Sequence, residues 1–223
     1  MGHDDADADT RAATLMELIL IRHALPIRRE LLEGIADPEL SDTGRIQAMH
    51  LAEYLAGETI DAVYASPLRR ATQTAEPLAA RKELPVTVVD GIAEYDRTSK
   101  EYVPIEELKA SNDPRWQQLV DDTWAERDET RAEFGGRVLA AIDAIIDAHP
   151  SETVAVVCHG GVINSYLGGV LGLAESPGFF YPDYTSVHRV MASRGGGRSI
   201  LALNETAHLR GTDLPIGLYG KRA

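Results

Sequence analysis

Cysteine is nearly absent: Cys158 stands alone in 223 residues, which excludes an internal disulfide and fits a reducing compartment. Basic residues are also scarce, 22 Lys and Arg against 35 Asp and Glu, for a formal net charge of −13. A surface that acidic repels nucleic acid and anionic membranes, so neither is expected as a partner. A small anionic substrate stays open, because a pocket can be locally positive on an acidic protein. No apolar run is long enough to span a bilayer. The opening "MGHDDADADTRAAT" lacks the basic flank and apolar stretch of a signal peptide, and reads instead as a disordered acidic tail over residues 1–15. The expected location is cytoplasmic.

What is present is the pattern of one ordinary α/β domain over residues 16–223. Leu18, Ile19, Leu20 and Ile21 are apolar without alternation, the mark of a strand buried on both faces. "SDTGRIQAMHLAEYLAG" reads as a helix capped by Ser41 or Asp42. "DAVYAS" reads as a strand, and a helix follows with Ser66 as N-cap and Pro67 at its first position. Pro77 predicts a kink or an early break in that helix. "PVTVVD" is a third strand, "FGGRVLAAIDAIIDAH" an amphipathic helix, "TVAVVCHGG" a fourth strand and "VINSYLGGVLGL" a further helix. Two last strands flank the turn "RGGGR". Residues 24–40 read as a loop. Between about residues 95 and 133 lies a charged insertion of short helices, with Tyr102, Trp116 and Trp124 as packing residues and the position of a lid. The expected fold is a three-layer sandwich: a mainly parallel sheet with an antiparallel edge, covered by helices on both faces.

In such a fold ligands bind beyond the carboxyl ends of the strands. That rule gathers Arg22 and His23 from the first strand, Ser66 with the helix start carrying Arg69 and Arg70, Asp90 and Glu94 after the third strand, and His159 with Gly160 after the fourth. Two histidines beside arginines suit an oxyanion, since guanidinium binds phosphate oxygens bidentately. Helix starts after Pro67 and at Gly160–Gly161 would add backbone N–H donors. Those arginines would repel a cation, so no metal and no other cofactor is expected. A neutral histidine in this setting can take a phosphoryl group covalently while a carboxylic acid protonates the leaving oxygen.

The motifs "LIRHA", "LSDTGRIQA", "ASPLRRATQTA", "VCHGG" and "LNETAHL", in that order, resemble the histidine phosphatase superfamily, whose fold is called phosphoglycerate-mutase-like. The resemblance runs from Glu17 to Leu209. It implies His23 as the phosphorylated nucleophile, Arg22, Arg70 and His159 around the phosphate, and Glu94 as proton donor, with Asp90 and Asp96 as alternatives. The chain departs from the family after the histidine. Ala24, Leu25, Pro26 and Arg29 stand where the family usually has Gly, Glu, Ser or Thr, and Asn. The lost trio helps the mutases hold a sugar acid, so a metal-independent phosphatase acting on a small phosphorylated metabolite is favoured. Arg29 is a candidate for a second anionic group. The rivals are a phosphoglycerate-mutase-type phosphoryl transfer and a non-catalytic phospho-ligand binder. A homodimer is compatible with the sequence. Cys158, on the opposite strand face from His159, reads as core, and His50, His149, His188 and His208 read as structural, with His3 in the tail.

Overall fold

The computed structural model describes residues 14–121, 129–173 and 178–219. The tail expected over 1–15, except its last two positions, lies outside the described residues, as do His3 and Trp124. The strands are β1 (Leu15–Arg22), β2 (Arg29–Glu30), β3 (Ala62–Ala65), β4 (Val86–Val88), β5 (Glu101–Tyr102), β6 (Thr153–Cys158), β7 (Val187–Ser193) and β8 (Arg198–Glu205). The α-helices are α1 (Asp42–Tyr54), α2 (Arg69–Lys82), α3 (Ile105–Ala110), α4 (Pro114–Val120), α5 (Arg131–Ala148) and α6 (Gly160–Val170). The main sheet has the order β4-β3-β6-β1-β7-β8. Its β4, β3, β6 and β1 are parallel, and β7 and β8 add the antiparallel edge. This is the expected mainly parallel sheet.

The unbroken apolar run in β1 is explained by two cores. Leu18 and Leu20 pack with Phe134, Val138 and Ile142 of α5 and Val162 and Ile163 of α6. Ile19 and Ile21 point the other way, against Leu51 of α1 and Ala71, Ala75 and Leu78 of α2. All four β1 side chains are fully buried, each worth about 2 kcal/mol of hydrophobic stabilisation.

Three expectations change. The loop over 24–40 contributes β2, which pairs antiparallel with β5 from the charged insertion and so ties the two segments together. The helix carrying Pro77 does not break there; α2 runs on to Lys82 and ends on the left-handed Glu83. That helix also starts later than expected. Leu68 is its N-cap residue, and the Arg69 N–H is taken by Asp37 Oδ1 at 3.0 Å.

The "SDTGRIQ" motif acts on the chain beyond β1. Ser41 Oγ accepts from the Gly44 N–H at 3.0 Å, the expected cap, and donates to the Leu25 carbonyl at 2.9 Å. Gln47 Oε1 accepts the Leu25 N–H at 2.8 Å, while its Nε2 donates to Pro215 O at 2.6 Å. A Cβ on Gly44 would lie 2.0 Å from the Leu25 carbonyl oxygen, so only glycine lets α1 approach this closely. Gly44→Ala is therefore expected to lose about 2 kcal/mol of stability, or about 4–8 °C in Tm for a domain of this size. Gly57→Ala, whose added Cβ would meet nothing within 4 Å, is the control and should melt with the wild type. A Gly44→Ala melt at or above that of the wild type would contradict the clamp.

Candidate active site

Parallel pairing of β1 with β6 brings Arg22 level with Cys158 and sets His23 beside His159 at the carboxyl edge of the sheet. The His23 N–H continues the ladder by donating to Cys158 O at 2.9 Å. The His23 ring, 3% exposed, places Nδ1 2.8 Å from the Ala24 carbonyl oxygen. A carbonyl can only accept, so Nδ1 carries the proton, and the neutral ring leaves the lone pair of Nε2 unshared. Burial first, then the charges of Arg70 and Arg22, hold this imidazole well below the usual histidine pKa. Ala24 is itself fixed, its N–H donating to Thr74 Oγ1 at 2.9 Å on α2.

Two guanidiniums face this imidazole, each braced from behind. Arg22 donates from Nη1 to Pro182 O at 2.6 Å and lies 4.1 Å from the ring centre of Tyr184. Arg70 donates from Nη2 to Asp96 Oδ1 at 2.7 Å and lies 4.7 Å from the ring centre of Tyr102. Both aromatic phenols are pushed up by burial, Tyr102 to about 12. Three further nitrogens, Nε of Arg22 and Nε and Nη1 of Arg70, are buried without a hydrogen-bond partner. Buried donors of charged groups rarely stay unpaired, and three here beside one imidazole are suited to the oxygens of an anion.

His159, fully buried, has its ring centre 5.1 Å from that of His23 and its Nε2 2.6 Å from Ser66 Oγ. Burial, followed by Arg70, His23 and Arg22, keeps it too well below the usual pKa. The Ser66 hydroxyl serves both sides: it meets His159 and also accepts the Leu68 N–H at 3.3 Å, just ahead of the first residue of α2. At the start of α2 the Leu68 N–H is taken by Ser66 and the Arg69 N–H by Asp37, so these two donors do not turn to the site, contrary to the expectation from Pro67.

Glu94 is held by α6. Its Oε2 accepts from the Gly161 N–H at 2.8 Å and its Oε1 from the Tyr95 N–H at 3.0 Å. A Cβ on Gly161 would fall 2.2 Å from Glu94 Oε1, which accounts for the second glycine of "CHGG". Burial and then the nearby Asp96 raise the Glu94 pKa against those hydrogen bonds and Arg70. Of the alternative carboxylates, Asp96 is paired with Arg70, and Asp90 is a surface group 3.1 Å from Arg97.

These groups open on a cavity of about 740 Å³. Arg22, His23, Arg70, Glu94, Asp96, Gly160 and Gly161 form one end, and the insertion walls much of the rest, from Ser99 to Val120. His159 and Arg29 do not line it. Arg29 sits in β2 opposite Tyr102, its Nε buried without a hydrogen-bond partner, and stands outside the cavity lining. Tyr102 and Tyr184, the braces of the two arginines, were not singled out for that role; each lies far along the chain from the arginine it stacks on, and no local pattern marks it. Trp116 packs within 6.4 Å of Tyr181 as insertion packing. Among the described residues no group of three or more His, Cys, Asp or Glu could hold a metal ion, and no helix is long and apolar enough to cross a membrane.

Fold and site thus define a doubly wound α/β protein with a neutral imidazole set between paired guanidiniums, a pocket suited to an oxyanion. Residues 18–206 match the family model of the histidine phosphatase superfamily, branch 1. Phosphoserine phosphatase 1 of Hydrogenobacter thermophilus is 31% identical over 202 residues, covering 87% of this chain and 95% of that protein. Among solved structures, an Entamoeba histolytica phosphoserine phosphatase in complex with 3-phosphoglyceric acid superposes with a TM-score of 0.68 at 25% identity, covering 87% of this chain and 99% of that one. A mycobacterial glucosyl-3-phosphoglycerate phosphatase shares the fold, with a TM-score of 0.67 at 24% identity over 86% of this chain and all of its own. The chain belongs to the histidine phosphatase superfamily and is a hydrolase of that family.

Buried neutral histidines make the fold sensitive to acid. Beside His23 and His159, burial pushes His188 down to about 3 and His208 to about 4. His188 has independent support: the Asn204 N–H donates to its Nδ1 at 3.2 Å, so its proton sits on Nε2, 3.0 Å from Ser186 Oγ. A folded-state pKa below the unfolded value gives stability that is complete above about pH 6.5 and is lost as the pH falls. Each such histidine should remove about 1.4 kcal/mol per pH unit below that point. Urea midpoints measured from pH 7 to pH 5 should fall steeply, and His188→Gln should flatten the slope by about one proton. A stability constant across that range would contradict the neutral assignments.

Proposed function

We propose that the protein hydrolyses phosphomonoesters of small metabolites without a metal, by way of a phosphohistidine at His23. The observation that carries this reading is the state of the His23 ring: proton held on Nδ1 by the Ala24 carbonyl, Nε2 bare, pKa depressed, and Arg22 and Arg70 beside it. In the first step the Nε2 lone pair forms a bond to phosphorus as the ester P–O bond breaks. Glu94, as the neutral acid, gives its proton to the departing alkoxide. Arg22 and Arg70 neutralise the charge on the equatorial oxygens through their unpaired N–H groups. In the second step the Glu94 carboxylate takes a proton from water, the water oxygen bonds to phosphorus, and the P–N bond breaks. Inorganic phosphate leaves and His23 returns to its starting tautomer. His159 acts from behind, its neutral ring packed against that of His23.

The raised pKa of Glu94 and the lowered pKa of His23 both favour this pairing of a protonated acid with a neutral nucleophile. Glu94 is preferred over Asp96 because Asp96 is spent on Arg70, and over Asp90 because Asp90 lies at the surface. The guanidiniums also argue for a metal-free step, since they supply the positive charge a cation would otherwise bring. A mutase would need a cation to hold the substrate's acid group. Arg29, the candidate, does not line the cavity, so water is favoured as acceptor.

We read residues 16–223 as one histidine phosphatase domain, with residues of about 95–133 as its specificity-bearing insertion. The lone buried Cys158 fits a cytoplasmic protein. Its partners would be the phosphoester and, at most, a second copy of the chain.

Hydrolysis of an aryl phosphate in excess EDTA tests the reading. The wild type should turn over, and His23→Ala should lose at least about three orders of magnitude in kcat, as expected when a covalent nucleophile is removed. Equal rates for the two would reject His23 as nucleophile, and loss of activity in EDTA would reject the metal-free mechanism.

A further inference from the structure

The cavity is larger and greasier than a three-carbon phosphoester requires. Its volume of about 740 Å³ lies within the range that encloses drug-sized ligands. Beyond the phosphate end, its wall is built from Leu119 and Val120 at the end of α4, the run Phe179, Phe180 and Tyr181, and Tyr219 near the carboxyl terminus. Val120 and Tyr219 are 48% and 63% exposed, so this apolar wall meets solvent when the cavity is empty of substrate.

The charges along the cavity point the same way. Among the described lining residues, the only arginines or lysines are Arg22 and Arg70, both committed to the phosphate end. The carboxylates are three, Glu94, Asp96 and Glu101. Asp96 is neutralised by Arg70, and Glu101 by Arg115 at 2.8 Å, an arginine that does not line the cavity. Lys109 stands over the rings of Trp116 and Tyr219, 4.8 Å from the latter's centre, and is also outside the lining. A leaving group with its own carboxylate would therefore leave water for a wall whose described lining holds no further cation, Lys109 standing behind Tyr219, an unfavourable exchange. An apolar or aromatic leaving group would cover the exposed wall.

We infer that the phosphoester this enzyme takes carries an uncharged, apolar or aromatic leaving group, seated on the wall formed by Leu119, Val120, Phe179, Phe180, Tyr181 and Tyr219. The inference rests on the hydrolytic reading above and narrows its substrate. It sets this chain apart from the named substrate of its phosphoserine phosphatase relative.

The test compares three esters of primary alcohols, so that the reactivity of the leaving group is held similar: ethyl phosphate, phosphoserine and 2-phenylethyl phosphate. Released inorganic phosphate is followed and kcat/KM compared. The wild type should favour 2-phenylethyl phosphate over both others by about tenfold or more, the scale on which apolar pockets discriminate. Val120→Arg adds a cation to the wall at an exposed position, and should shift the preference toward phosphoserine at least threefold. Tyr219→Ser, also at an exposed position, should lower kcat/KM for 2-phenylethyl phosphate relative to ethyl phosphate. Phosphoserine used as well as or better than 2-phenylethyl phosphate by the wild type would overturn the inference and leave the hydrolytic reading intact. An unmoved preference in both variants would overturn the assigned wall. Phosphate release from none of the three esters, nor from an aryl phosphate, would overturn both readings together.

Discussion

One hydrogen bond, from His23 Nδ1 to the carbonyl of Ala24, decides what the rest of the site can do. It sets the tautomer, so the second ring nitrogen presents a lone pair to the cavity side of the sheet edge. The bond is only as good as the position of Ala24, and that position is fixed from several directions. Thr74 on α2 accepts the Ala24 N–H, and Gln47 and Ser41 hold both backbone groups of Leu25. Gly44 lets α1 close on the same peptide. Of these α1 and α2 motifs Arg70 lines the cavity, while Ser41, Gly44, Gln47 and Thr74 lie outside its lining. Their work is to keep two residues of backbone still behind the imidazole.

Around that ring, positive charge and burial act in the same direction. Arg22 and Arg70 would be poor neighbours for an imidazolium, and a desolvated site already disfavours one. The same surroundings make an anion welcome, because the unpaired guanidinium nitrogens regain partners when it binds. Glu94 feels the opposite pressure. Burial and the charge of Asp96 favour its neutral form, while the Gly161 and Tyr95 N–H groups keep it aimed and limit the shift. Glu94 and His23, the proposed acid and nucleophile, thus draw opposite protonation states from one cavity, as catalytic pairs commonly do. The arginines are held rigid by aromatic faces and by Pro182 O and Asp96, which makes the pocket preorganised.

Much of this was legible in the sequence because parallel sheets put chemistry at strand ends. The four apolar residues of β1 point to a doubly covered strand, and the Arg22–His23, Arg70, Glu94 and His159–Gly160 groups all lie at the rim where that rule set them. What escaped it was side-chain bonding across the fold. Ser66 accepts the Leu68 N–H as its spacing suggests, but its hydroxyl also meets His159, 93 residues away. Asp37 takes the Arg69 N–H at the start of α2, 32 residues away. Tyr184 and Tyr102 carry no motif, because stacking under an arginine constrains a ring's place in space and not its spacing along the chain. Arg29 was a candidate through its position after the histidine. The short β2–β5 pairing instead puts it opposite Tyr102, outside the cavity.

On the mechanism proposed above, a bare, neutral Nε2 on His23 receives the phosphoryl group. Rapid mixing of enzyme with excess aryl phosphate, an alkaline quench and digestion would isolate the covalent species directly. An acid-labile, base-stable phosphate is expected on the peptide containing His23 and none on that containing His159. Stable phosphate on another residue, or turnover with no phosphopeptide even when Glu94→Gln slows the hydrolytic step, would contradict it.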